Sequence, residues 1–129
     1  MPRELRLSEI STRAPKGLEK EDIEKEYDDL TDQIADLQYK MKAEEKSSLL
    51  VVFQGMDASG KDGSTHKVFK KCGANGIKVH SFKKPTDLEF AHDFLWRVHK
   101  LAPSKGELVV FNRSHYEDCL LYTSDAADD

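Results

Sequence analysis

Apolar residues recur at alternating steps of four and three between positions 23 and 41, which predicts an amphipathic helix. The members of this stripe are Ile23, Tyr27, Leu30, Ile34, Leu37 and Met41. We predict one helix over 18–46, preceded by an arm or linker at 1–17 that has no sustained periodicity and contains prolines and a glycine. The stripe is short for a coiled-coil seam and lacks consistently charged flanks, so we expect it to pack on the domain that follows.

Three apolar segments after this helix have the pattern of β-strands. SLLVVF at 48–53 is a continuous run, typical of a strand buried on both faces of a parallel sheet, IKVHSF at 77–82 alternates, and ELVVF at 107–111 is again apolar. We predict helices between them, over 64–72 and from the capping box of Thr86 and Glu89 to about residue 101. This order predicts an α/β fold with a parallel sheet, flanking helices and right-handed crossovers.

Composition limits the class of protein. With 129 residues, of which 38% are hydrophobic, the chain is long enough for one domain with a single core. Its longest apolar run is far shorter than the roughly 20 residues that span a bilayer, so we expect no membrane protein and no secreted precursor. The two cysteines lie far apart without metal-ligand spacing, which fits a reducing, cytoplasmic environment.

Charge is divided unevenly along the chain, although the net charge is only -4. Residues 47–118 contain 11 basic and 8 acidic residues, whereas both flanking segments are acidic. A basic middle segment suits a polyanionic ligand such as phosphate or nucleic acid, because clustered positive charge concentrates anions.

The segment GMDASGK at 55–61 has the GxxxxGK spacing of a phosphate-binding loop between a predicted strand and a predicted helix. Its glycines let backbone N–H groups turn towards phosphate oxygens, and Lys61 adds a positive charge. An ordinary glycine-rich turn with a surface lysine is the alternative. The residues expected to bind phosphate are Gly55, Ala58, Ser59, Gly60, Asp62, Gly63 and Ser64.

Asp62 stands where most such loops have the Ser or Thr that helps to hold Mg²⁺. Another group must then bind the metal, and Asp57 inside the loop is the first candidate, because a cation would relieve its repulsion from bound phosphate. Alternatively, Asp57 caps a loop amide.

A second polar segment, NRSHYED at 112–118, follows the third predicted strand. Because ligands of open α/β sheets bind outside the carboxyl ends of the strands, we expect it to share one ligand with the loop. Arg113 could clamp phosphate oxygens, and Asp118 could complete a metal site or orient an acceptor phosphate. Alternatively, the segment is a helix start in which Arg113 pairs with Glu117 or Asp118.

Four lysines near the same sheet edge could form a track for an extended polyanion, although such lysines often belong to a solvated face. They are Lys67, Lys70, Lys83 and Lys84.

Three blocks together resemble the polyphosphate kinase type 2 family: FQGMDASGKDG at 53–63, SFKKPT with AHDFLWRVHK within 81–100, and KGELVVFNRSHYED at 105–118. The resemblance implies Mg²⁺-dependent phosphoryl transfer between inorganic polyphosphate and AMP or ADP. By position it implies that Asp57 and Asp118 hold Mg²⁺ and the acceptor phosphate, that Lys61 is the loop lysine, and that Arg113 contacts phosphate. Partners are then polyphosphate and AMP, ADP or ATP, with neither nucleic acid nor membrane.

Family members continue beyond residue 118, so we expect 47–118 to be a partial P-loop phosphotransferase domain that is inactive alone. The segment 119–129 departs from the family pattern, and we expect it to be non-native. We expect a homo-oligomer for the whole protein. The alternative functions are an ATP-dependent small-molecule kinase and a nucleotide-binding module without turnover, and ATP synthesis from ADP and polyphosphate distinguishes both from a polyphosphate kinase.

Overall fold

A computed structural model describes residues 10–11, 13, 15–55 and 58–113 of the chain. Its elements are α1 (Lys20–Glu44), β1 (Leu49–Phe53), α2 (Lys61–Phe69), β2 (Ile77–His80), α3 (Asp87–Phe90), α4 (Trp96–His99) and β3 (Leu108–Asn112). The alternation of helices with parallel strands confirms the predicted α/β class. Asp57, Asp118 and the proposed non-native segment 119–129 lie outside the described residues.

The chain divides into two compact units, Met1–Leu30 and Thr31–Asp129. In the first unit, the described residues include the beginning of α1, where Ile23 and Leu30 are 44% and 49% exposed. The second unit contains the end of α1, the sheet and those candidate site residues that the structure describes. No helix in the described parts of the chain is both long and apolar enough to span a membrane.

The three strands form one parallel sheet in the order β1-β3-β2, so the last strand in the sequence is the central one. Val51 and Val79 both align with Val110 of β3 in this register. All five residues of β3 are buried. Phe111 packs edge-on against Phe82, with ring centroids 4.8 Å apart, and these two residues form the main core with Val98 and Val109.

The prediction that β1 is buried on both faces is wrong. Within the described residues β1 pairs only with β3 and therefore lies at the sheet edge, where Leu49, Leu50 and Val52 are 47%, 38% and 37% exposed. The apolar runs of β1 and β3 look alike in the sequence. Only the crossover topology decides which of them is central.

The second half of α1 packs against this sheet, but only part of the predicted stripe is buried there, since Leu37 is 63% exposed. Ile34 and Met41 are half-buried and line an apolar cavity of about 280 Å³ with Val51 and Val68. Asp32 forms an ion pair with Lys71, which fixes the helix to the segment that follows α2.

The prediction of one continuous helix from Thr86 to about residue 101 is also wrong, because α3 and α4 are separate single turns. The capping box at Thr86 does form. However, the His92 ring lies 2.8 Å from the Leu88 carbonyl, and Asp93 Oδ1 accepts the Leu95 N–H at 2.9 Å. Side chains thereby occupy backbone groups that a continuous helix would pair with each other.

Candidate phosphate-binding site

A cleft of about 600 Å³ opens at the carboxyl ends of the three strands. Residues from the segment after β1, the segment after β2 and the end of β3 meet there, since parallel strands end at the same sheet edge. The residues lining the cleft are Ala58, Ser59, Gly60, Lys61, Asp62, Ser81, Phe82, Lys83, Asn112 and Arg113. The structure therefore brings the GxxxxGK loop together with Asn112 and Arg113, as expected from the sequence.

The glycines of the loop have separate structural roles. Gly60 adopts a left-handed conformation with φ of 89°, which favours glycine. Gly55 lies so close to Ser59 that an added Cβ would be 2.6 Å from the Ser59 hydroxyl oxygen. A side chain at position 60 would strain the backbone, and one at position 55 would require the Ser59 side chain to move.

Helix α2 begins at Lys61, three residues earlier than predicted. The Ser64 N–H donates to the Gly60 carbonyl at 2.9 Å and so closes the first turn. Lys61, Asp62 and Gly63 consequently lie in the helix rather than in the loop. The first amide groups of a helix have no partner within the helix and attract anions, and those of α2 lie at the cleft.

Lys61 folds back over the loop. It is half-buried, and its Nζ donates a hydrogen bond to the Gly55 carbonyl oxygen. This contact holds the ammonium group beside the backbone curve that the two glycines create. Positive charge from the side chain and from the helix N-terminus therefore converges on one place.

Asn112 and Asp62 connect β3 to α2. Asn112 Nδ2 donates to Asp62 Oδ1, and the Asn112 side chain is buried although it ends the most apolar strand. Its Oδ1 is buried without a hydrogen-bond partner within the described part of the chain. We predicted no separate role for Asn112, although a polar side chain at the carboxyl end of an apolar strand was an available signal.

The Arg113 backbone is unusual, with φ of 117° in a residue that has a side chain. Its N–H donates to the Phe53 carbonyl at 3.2 Å, which joins the ends of β3 and β1. Positive φ values of this kind cluster at functional sites, where surrounding contacts hold them.

Of the four track lysines, Lys83 lines the cleft, and Lys70 lines an adjoining cavity of about 440 Å³ that shares Asp62, Ser81 and Asn112 with it. Lys67 and Lys84 are exposed and line neither of these two cavities. The structure therefore brings only part of the predicted track to the site.

The described residues include no cluster of three or more His, Cys, Asp or Glu side chains that could hold a metal ion. The chemistry at the cleft nevertheless fits Mg²⁺, because the Asp62 carboxylate and the unpartnered Asn112 amide oxygen are hard oxygen donors. The roles of Asp57 and Asp118 as metal ligands stay predictions.

The sequence profile of the family Polyphosphate kinase 2 (PPK2) matches residues 17–123. The chain belongs to the polyphosphate kinase 2 family. This match confirms the resemblance carried by the three sequence blocks, and it ends within the segment 119–129.

Two curated relatives in this family have informative names. The chain is 54% identical over 85 residues to the AMP/ADP-polyphosphate phosphotransferase of Meiothermus ruber. The aligned residues cover 66% of this chain and 32% of that relative. It is 42% identical over 90 residues to the ADP-polyphosphate phosphotransferase of Rhodopseudomonas palustris. Here the aligned residues cover 70% of this chain and 31% of the relative. The chain thus spans about a third of the length of these relatives.

A solved structure of the family has the same fold. Polyphosphate kinase 2 from Arthrobacter aurescens TC1 matches 92% of this chain and 44% of its own, with a TM-score of 0.80 and 35% identity. The likeness therefore extends over most of the elements described above.

Proposed function

We propose that the protein to which this chain belongs transfers a phosphoryl group between inorganic polyphosphate and AMP or ADP. The single observation that carries the proposal is the convergence of Lys61, Lys83, Arg113 and the N-terminus of α2 on one cleft. The names of the two relatives, both polyphosphate phosphotransferases, support the same substrates.

Catalysis of phosphoryl transfer depends mainly on positioning the reactants and neutralising charge, because charge in the transition state spreads over the oxygens of the transferred phosphoryl group. In this proposal the loop amides and Lys61 hold the phosphate oxygens. Arg113, which also lines the cleft, neutralises further charge on the phosphate oxygens.

Mg²⁺ is part of the proposal, with Asp57 and Asp118 as its ligands. When bound, the ion would supply positive charge between phosphate groups that repel each other. The oxygen donors of Asp62 and Asn112 lie at the same cleft, which supports the choice of a hard cation.

The positive charge also continues beyond a single phosphate position. Lys83 lies in the cleft, and Lys70 lies in the adjoining cavity. An extended donor such as polyphosphate would use both lysines, which favours it over the ATP of a small-molecule kinase.

The test is ATP synthesis by the whole product of the gene that encodes this chain. Purified protein is mixed with ADP, Mg²⁺ and polyphosphate, and the ATP formed is measured with luciferase. In a second series AMP replaces ADP, and the ADP formed is measured by anion-exchange chromatography. We expect ATP synthesis to stop when Mg²⁺ is chelated. We also expect Asp57→Asn to lower the rate of synthesis by about a hundredfold. Binding of nucleotide without turnover would instead favour the non-catalytic module.

Two further properties belong to this proposal. We propose a cytoplasmic location, where the nucleotide acceptors and reduced cysteines would both be found. We also propose a homo-oligomer, because α1 exposes apolar side chains such as Leu37, which is 63% exposed. Light scattering during size-exclusion chromatography measures the assembly, and a monomeric mass at micromolar concentration would contradict it.

A further inference from the structure

Arg97 is a buried cation outside the phosphate cleft. It lies on α4, is 8% exposed and is not among the residues that line the cleft. The stability of the fold does not require an arginine at this position, because an apolar side chain of similar length would bury a comparable area without desolvating a charge.

The contacts of Arg97 lead to the segment that follows β2. Its guanidinium carbon lies 5.1 Å from the centre of the Phe82 ring, and Nη1 donates to Glu89 Oε2 at 3.4 Å. Phe82 is itself 7% exposed and packs against Phe111, so the ring has little freedom to move. One face of the guanidinium group therefore holds the beginning of this segment.

Glu89 holds the other end of the same segment. The oxygen that pairs with Arg97 also accepts the Thr86 N–H at 2.8 Å, and the Thr86 hydroxyl accepts the Glu89 N–H at 3.3 Å. Between Phe82 and Thr86 lie only Lys83, Lys84 and Pro85. The Arg97–Glu89 pair thus fixes both ends of a three-residue connection.

Lys83 in this connection lines the cleft with Lys61 and Arg113. We propose that Arg97 is a positioning residue that acts through Phe82 and Glu89 to hold Lys83 at the cleft, and thereby sets the affinity for the polyphosphate donor. The inference rests on the proposed function for the identity of the donor. The positioning of Lys83 by Arg97 does not depend on which donor the protein uses.

The kinetic test uses the whole gene product and the variants Arg97→Met, Glu89→Gln and Lys83→Ala. Gln can still accept the Thr86 N–H in a capping box, so Glu89→Gln removes the charge and keeps the cap. We expect each variant to raise the KM for polyphosphate about five- to tenfold, with kcat and the KM for ADP within about twofold of wild type. Lys100→Met is the matched control, because Lys100 follows α4 and lies over the Trp96 ring, and we expect wild-type kinetics from it.

A double variant distinguishes positioning from a general loss of structure. If Arg97 acts through Lys83, the KM of Arg97→Met with Lys83→Ala equals that of Lys83→Ala alone, whereas independent effects would multiply. Multiplying effects would overturn the inference. An unchanged KM in both Arg97→Met and Glu89→Gln would overturn it as well.

Hydrogen exchange in the absence of substrate tests the positioning even if polyphosphate is not the donor. We expect the Thr86 amide, whose N–H donates to Glu89 Oε2, to exchange about tenfold faster in Arg97→Met and Glu89→Gln than in wild type, because the first variant removes the cation that holds this carboxylate and the second replaces the carboxylate with a weaker, uncharged acceptor. Unchanged exchange in both variants contradicts the inference. Failure of wild-type protein to use polyphosphate, with faster exchange in the variants, contradicts only the proposed function. If Arg97→Met does not fold, Glu89→Gln decides the question.

Discussion

Lys61 combines two features that are rarely found together in a surface lysine. It is half-buried at the start of α2, and its Nζ is held by the carbonyl of the first loop glycine. We expect Lys61→Ala to lower kcat by about a hundredfold or more, because the positive charge is needed most in the transition state. Steady-state assays with ADP and polyphosphate measure this.

The control for that substitution is Lys105→Ala, which removes an exposed lysine from the turn before β3. It should leave kcat unchanged. A Lys61→Ala variant with kcat within about threefold of wild type would contradict the phosphate-loop assignment.

Asn112 shows how a site residue can conflict with stability. Its amide is buried, one end bonds to Asp62, and the Oδ1 atom has no partner among the described residues. Leucine has the same number and branching of side-chain heavy atoms and no polar atom to desolvate. We therefore expect Asn112→Leu to leave the free energy of unfolding unchanged or to raise it by about 1 kcal/mol, while activity falls about tenfold.

Urea unfolding and ATP synthesis, measured on the same preparation, check the Asn112→Leu prediction. A loss of more than about 1 kcal/mol would mean that Asn112 mainly supports the fold. Retained activity would mean that its oxygen does not serve the cleft.

The strands differ in burial more than in sequence, and this difference predicts their tolerance to truncation. Val110 in β3 is fully buried, whereas Val52 in β1 is 37% exposed. We expect Val110→Ala to lower the free energy of unfolding by about 2 kcal/mol, through lost burial and an internal cavity. Val52→Ala removes the same two methyl groups and should cost less than about 1 kcal/mol. Equal losses would contradict the edge position of β1.

The cap of α3 predicts a pH dependence. The Thr86 N–H hydrogen bond lowers the pKa of Glu89 below its ordinary value, and the Arg97 charge acts in the same direction. Because the pKa is lower in the folded state, ionised Glu89 stabilises the fold above the pKa of the unfolded chain. This stabilisation is lost as the pH falls through the folded pKa.

Glu89→Gln cannot titrate, so it isolates this contribution. We expect the stability difference between wild type and Glu89→Gln to be constant above about pH 6 and to shrink between about pH 5 and pH 3. Thermal unfolding across this range measures it. A difference that grows on acidification would show that the sign of the pKa shift is wrong.

The presence of most helices and strands could be predicted from the sequence, because periodicity and capping are local properties. The stripe of α1, the strand after it and the capping box at Thr86 were all visible as residue patterns. Position within the sheet was not visible, because β1 and β3 are both short apolar runs and only the crossover makes β3 central. The break between α3 and α4 was missed because His92 and Asp93 compete for backbone groups, and helical spacing of apolar residues does not show that competition.

The candidate site was predictable to the extent that it follows from topology. Parallel strands end at one edge, so the loop after β1 and the residues after β3 had to be neighbours. Lys83 at the cleft was predicted from its place after β2. The contacts of Arg97 with Phe82 and Glu89 depend on how α4 packs, and no spacing rule connects residue 97 with residue 82.

At the scale of the whole molecule, the distribution of charge matters more than its net value of -4. The basic middle segment contains the cleft, while the acidic N-terminal segment contains the whole of α1. A long polyphosphate carries many charges and would contact several lysines, including Lys83 in the cleft and Lys70 in the adjoining cavity. A nucleotide is shorter and carries fewer charges, so its binding should depend less on distant lysines.

This contrast predicts different responses to salt. Added salt shortens the screening length from about 10 Å at 0.1 M to about 3 Å at 1 M. We therefore expect the KM for long polyphosphate to rise with NaCl more steeply than the KM for ADP, and Lys70→Ala to reduce that slope. Lys20→Ala removes a lysine of the acidic N-terminal segment, where Lys20 pairs with Glu24, and serves as the matched control with an unchanged slope. Equal salt dependence for the two substrates would mean that donor binding is confined to the immediate phosphate loop, and it would favour a compact donor such as ATP over an extended polyanion.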